Sequence, residues 1–99
     1  MTTTKEKITK SSGNIFTDLG FPPEEVTILT MRADLMARLR LLIERKGWTQ
    51  AQAAAALGVS QSRISDLMRG KWDKFSLDML LVFATRAGLR PKLALSKAA

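Results

Sequence analysis

Between Ser60 and Asp66 the chain sets Gln61, Ser62, Arg63 and Ser65 where a helix would turn them to one outer side. These are hydrogen-bonding groups. A glutamine amide matches adenine N6 and N7, an arginine fork matches guanine O6 and N7 or a phosphate, and a serine hydroxyl donates to either. A helix lying in the major groove reaches base edges only with side chains near its leading end, so Gln61 is the first candidate base reader. Arg63 suits guanine or phosphate equally. Ser60, Ser62 and Ser65 complete the face, and Arg69, Lys71 and Lys74 stand at its flank as candidate phosphate clamps. Asp66 lies three residues from both Arg63 and Arg69 and offers either an internal ion pair instead.

The chain contains no histidine and no cysteine. Disulfides, thiolate nucleophiles, imidazole bases and nearly all zinc-site chemistry are thereby removed, and no clustered carboxylate loop suggests a calcium or magnesium site. No pairing of nucleophile and base can be assembled. The expectation is therefore a non-enzyme without cofactor or metal.

Such a polar face needs a scaffold, and residues 49–71 supply one: two short helices around a glycine turn. Gly58 sits where the chain must reverse, and glycine accepts positive φ without a Cβ clash. Ala54 presents only a methyl group, so a second helix can approach closely, with Ile64 opposite. Leu57, Val59, Ile64 and Leu67 form the shared apolar seam. Thr49 caps the first helix, and Ser60 caps the second by accepting from the amide of Arg63, which starts that helix at about Gln61. An alanine-rich helix with a merely solvated polar face is the bland alternative. It explains neither the turn glycine, the cap and the seam spacing together, nor the outward Gln-Ser-Arg run.

At these residues the chain resembles the Xre/Cro-like helix-turn-helix family of phage and bacterial repressors, through Thr49-Gln50 before the first motif helix and Arg69-Gly70-Lys71 after the second. The resemblance covers about residues 31–90. It implies an all-α, lambda-repressor-like bundle, a homodimer on a palindromic operator in double-stranded DNA, and transcriptional repression, with Gln50 meeting the DNA backbone at a helix N-terminus. The opening Gly-Asn-Ile-Phe-Thr-Asp-Leu-Gly-Phe at 13–21, followed by Pro-Pro-Glu-Glu, looks like HigA-type antitoxins. That likeness implies an antitoxin that binds a small protein toxin and represses its own toxin-antitoxin operon. A repressor of the same type without a toxin, or a protein-interaction adaptor on the same fold, are the alternatives.

Charge agrees with a polyanionic partner. Ninety-nine residues carry 16 Lys and Arg against 9 Asp and Glu, a net +7. Residues 1–30 hold three lysines and four acids, so the excess falls wholly in the part that carries the motif. Apolar stretches such as 77–84 are too short to span a bilayer and the N-terminus lacks a signal-peptide pattern, so a cytoplasmic location without membrane contact is expected.

Along the chain, residues 1–12 read as a flexible tail and 13–99 as one domain. Ile15, Phe16 and Leu19 suit a short helical turn that packs its Phe, ended by Gly20. A long helix is predicted from about Pro23 to Lys46, with a break near Thr30 allowed, Leu35, Leu39, Leu42 and Ile43 inward, and Arg32, Arg38, Arg40, Arg45 and Lys46 wet. Gly47 closes it and Trp48 plugs the core. Ser76 caps a helix over Leu77–Ala87 that buries Leu77, Leu80, Leu81 and Ala84, giving about five helices in all. Trp72 and the methionines at 31, 36, 68 and 79 are packing residues. Residues 89–96 alternate aliphatic and charged or small side chains and read as a short C-terminal strand, whose economical mate is the same strand of a second subunit.

Overall fold

The computed structural model describes residues 15–97; the predicted flexible tail at 1–12 lies outside them. Five helices follow in order: α1 (residues 15–18), α2 (Pro23–Lys46), α3 (Gln50–Leu57), α4 (Gln61–Met68) and α5 (Leu77–Arg86), with a 3-10 turn at Trp72–Lys74 between the last two. There is no strand among the described residues. The all-α bundle expected from the sequence is present, and the C-terminal strand is not.

Local chemistry accounts for most boundaries. α2 starts on Pro23, whose missing N–H costs nothing in the first turn, and carries Glu24 and Glu25 at its positive end and Arg45 and Lys46 at its negative end. It runs unbroken through Thr30. Gly47 closes it in the left-handed conformation. Thr49 forms a reciprocal capping box with Gln52: the Gln52 amide donates to the Thr49 hydroxyl at 3.1 Å, and the Thr49 amide donates to Gln52 Oε1 at 2.9 Å. Ser60 and Ser76 cap α4 and α5 through the amides of Arg63 and Met79.

The core lies where α2, α3, α4 and α5 meet. Leu39, Leu57 and Leu80 are fully buried, with Met36, Ile64 and Leu67 nearly so. On α2 the inward stripe is Leu29, Met36, Leu39 and Ile43, while Leu35 only packs against its margin. On α5, Leu81 was expected inside but is exposed, and Phe83 is buried in its place. The cause is a partner just outside the helix: Phe83 meets the ring of buried Phe75 edge to face, 6.2 Å between centroids, which turns the helix toward its Phe side. Leu77 is half-buried. Met31 likewise faces outward rather than filling the core.

A second, aromatic cluster fastens α1. Phe16 meets Trp72 edge to face at 5.4 Å and Phe21 at 6.2 Å, so Trp72 covers the domain edge as a packing residue. Trp48 is half-buried against the core, with the Lys46 ammonium 6.0 Å from its ring centroid.

After Gly88 the described chain, to residue 97, forms no regular element and is exposed. Leu93 and Leu95 retain 77 % and 90 % of their accessible surface. An isolated strand has no ladder to join within the domain, and the alternation at 89–96 therefore produces no regular structure in the single chain.

Ala54 is 7 % exposed and Ala53 fully buried, both on the surface of α3 that carries the core side chains. Replacing Ala54 by Leu adds volume to a filled contact and should cost about 1 to 3 kcal/mol in urea unfolding. A variant as stable as the parent chain would show that no helix approaches closely there.

Candidate nucleic-acid interface

The two motif helices are joined by three residues, and the joint is tightly built. Gly58 takes φ +71°, and the Val59 amide donates to the Ala54 carbonyl at 3.0 Å, closing α3 in a Schellman turn. Ser60 then begins α4 at once. Leu57, Ile64 and Leu67 lie 0 to 1 % exposed along the seam, with Val59 half-buried beside them. A helix packed this completely on one side has its opposite side fixed by rotation alone.

Of the residues singled out from the sequence, that opposite side carries Gln61 and Ser62. Gln61 and Ser62, in the leading turn of α4, are exposed, and Ser65 one turn later is half-buried. Ser60 and Ser62 hydroxyl oxygens stand 3.2 Å apart. Gln50 is exposed at the first position of α3. Arg69 is exposed and makes no ion pair or side-chain hydrogen bond among the described residues, and Lys74 is exposed in the 3-10 turn. Lys71 is engaged: its ammonium lies 3.6 Å from Asp66 Oδ1, so the acid pairs with neither Arg63 nor Arg69. Arg63 is half-buried and turned along the surface. Its Nη1 donates to the Lys74 carbonyl at 3.1 Å, and its guanidinium carbon lies 5.6 Å from the centroid of Phe75.

Three further arginines support the motif in a way that helical periodicity does not reveal. Arg86 of α5 donates from Nη1 to the Leu57 carbonyl at 3.0 Å, satisfying the last turn of α3 directly beneath the Gly58 joint. Arg40 of α2 does the same for the Leu67 carbonyl of α4, and Arg32 for the Trp72 carbonyl, both at a longer 3.4 Å. Arg32 and Arg40, expected to stay wet, are half-buried for this reason. Their signal in the sequence is only a cation on a helix face, which is indistinguishable from a solvated one.

A model of the helix-turn-helix domain matches residues 15–95. The chain belongs to that helix-turn-helix family. The match spans α1 through most of the exposed C-terminal segment, so it includes the motif helices and both elements that brace them. A search of curated proteins finds no match. Among the described residues no cluster of three or more His, Cys, Asp or Glu could hold a metal ion, and no helix is long and apolar enough to cross a membrane.

Removing the Arg86 brace should loosen the joint on which the helix-turn-helix motif turns. Arg86→Met keeps the aliphatic stem and deletes the charged donor, so stability should fall by about 1 kcal/mol. Amide exchange at Val59 should accelerate with it. An unchanged midpoint and unchanged exchange would show that water replaces the arginine without loss.

Proposed function

We propose that this helix-turn-helix protein is a sequence-specific, dimeric transcriptional regulator that inserts the leading turn of α4 into the major groove of an operator. The observation that carries this reading is the exposure of Gln61 and Ser62 on the face of α4 opposite a fully buried seam. Gln61 reads a base edge, most simply adenine, and Ser62 and Ser65 donate to bases or phosphates. Gln50 and Ser60, at the N-termini of α3 and α4, hold the DNA backbone with help from amides and helix dipoles. Arg69 and Lys74 clamp phosphates beside the groove, and Lys71 joins them by exchanging Asp66 for a phosphate. The excess of basic residues beyond residue 30 supports a polyanionic partner.

Dimerisation is supported by the small core and by Leu93 and Leu95, which are too exposed to serve a monomer. The segment at 89–96 pairs with its copy, placing two reading helices roughly 34 Å apart on a palindromic operator. The likeness of residues 13–25 to HigA-type antitoxins supports a second role, in which the protein neutralises a small toxin and represses the operon that encodes both. The less basic N-terminal part is the surface for that partner. An adaptor without DNA binding would have no need of the exposed Gln61 and Arg69.

Gln61→Ala should weaken binding to the cognate operator by about 1 to 3 kcal/mol and leave affinity for random duplex almost unchanged, because a base-edge contact carries sequence information and little charge. Equal losses on both duplexes would remove Gln61 as a reader.

Deleting residues 91–99 should give a monomer with weaker operator binding and a shallower dependence on salt, since each complex then makes half the phosphate contacts. Sedimentation of the truncated chain as a dimer, or of the full chain as a monomer at concentrations of about tens of micromolar, would contradict the assembly.

A further inference from the structure

Arg63 has the type and position of a base reader, yet both of its polar ends are already engaged. Its amide donates to the Ser60 hydroxyl at 3.2 Å, at the first turn of α4. Its guanidinium donates to the carbonyl of Lys74 at 3.1 Å and lies against the ring of Phe75, which is 2 % exposed. To reach into a groove, the guanidinium must abandon a charge-assisted hydrogen bond and a cation–π contact together, and leave a carbonyl of the 3-10 turn without that donor.

The Trp72 side of the turn is fastened by Arg32, which donates to the Trp72 carbonyl at 3.4 Å, and by the packing of Trp72 on Phe16, whereas at the Lys74 end the side-chain donor is Arg63. The turn's own ladder consists of the Lys74 amide donating to Lys71 at 3.0 Å and the Phe75 amide to Trp72 at 3.3 Å. A turn of that length has little internal stability. Its start is tied to α4 by Lys71, whose amide donates to the Asp66 carbonyl at 3.1 Å and whose ammonium pairs with the Asp66 carboxylate, and its Lys74 end by Arg63.

Resting on the DNA-binding reading above, we infer that Arg63 is a positioning residue: it locks the Trp72–Lys74 turn to the leading half of α4 and so sets the phosphate-contacting Lys74 at a fixed distance from the reading turn, without itself contacting a base. The sequence information of the first turn then rests on Gln61 and Ser62, and Arg63 governs affinity through Lys74. A guanidinium is required for this role, because a lysine ammonium cannot both lie flat on Phe75 and reach the Lys74 carbonyl with a directed N–H.

The test uses the full chain and two probes: the duplex most enriched by the wild-type protein from a randomised pool, and a shuffled duplex of the same base composition. Arg63→Met should weaken binding to both by the same factor, about fivefold, leaving their ratio unchanged. Arg63→Lys should behave like Arg63→Met. In a Lys74→Ala background, Arg63→Met should change affinity by less than about twofold, because the two residues act in one chain of contact. A loss confined to the enriched duplex would make Arg63 a base reader, and full rescue by Arg63→Lys or additive losses with Lys74→Ala would make it a phosphate clamp; either overturns the inference. Amide exchange at Lys74 and Phe75, measured without DNA, should rise about tenfold in Arg63→Met, and an unchanged rate also overturns it. If the wild-type chain enriches no duplex, the DNA-binding reading fails by itself and the exchange rates decide the brace. Should Arg63→Met fail to fold, Arg63→Lys carries the same comparisons.

Discussion

The close contact between α3 and α4 is the constraint from which the remaining architecture follows. Ala53 and Ala54 keep α3 slim, Gly58 lets the chain reverse within three residues, and Leu57, Ile64 and Leu67 seal the seam. Because interiors pack at crystal-like density, this seam admits one rotation of α4 about its axis and therefore one outward face. The other helices serve to hold that unit. α2 and α5 complete the core around it, and Phe75 and Phe83 join the connection after α4 to α5.

Electrostatics adds a second layer of support. The net charge of +7 suggests a surface of free cations, but Arg32, Arg40, Arg63 and Arg86 each donate to a backbone carbonyl at or near the end of a helix or turn. Carbonyls at helix C-termini lack intrahelical donors, and an arginine from a neighbouring helix supplies one with favourable charge. Two of these braces, from Arg86 and Arg40, reach the last turns of α3 and α4. The basic composition thus builds the motif as well as giving it an attractive surface, and the cations left for phosphate are fewer than the composition implies.

The motif was legible because its determinants are local. A cap, a turn glycine and an apolar spacing all lie within residues 49–71, and Thr49, Ser60 and Ser76 cap as their positions require. What escaped the sequence depends on partners outside the helix concerned. Phe83 displaces Leu81 from the core through Phe75, and Arg86 and Arg40 reach the carbonyls of Leu57 and Leu67. Periodicity within one helix contains none of that information. The alternation at 89–96 predicts a strand that the single chain lacks for the converse reason: the pattern is local, but a strand exists only with a mate.

The central claim is that the outer face opposite the α3–α4 seam meets DNA. Titrating the isotopically labelled full chain with a duplex enriched from a randomised pool, and following backbone amide shifts, tests it most directly. The account predicts shifts concentrated at residues 49–51 and 60–65 and extending through 69–74, with the amides of α1 and of the first two turns of α2 unmoved. Shifts centred on α1 and the start of α2, with Gln61 and Ser62 unchanged at saturation, would contradict it.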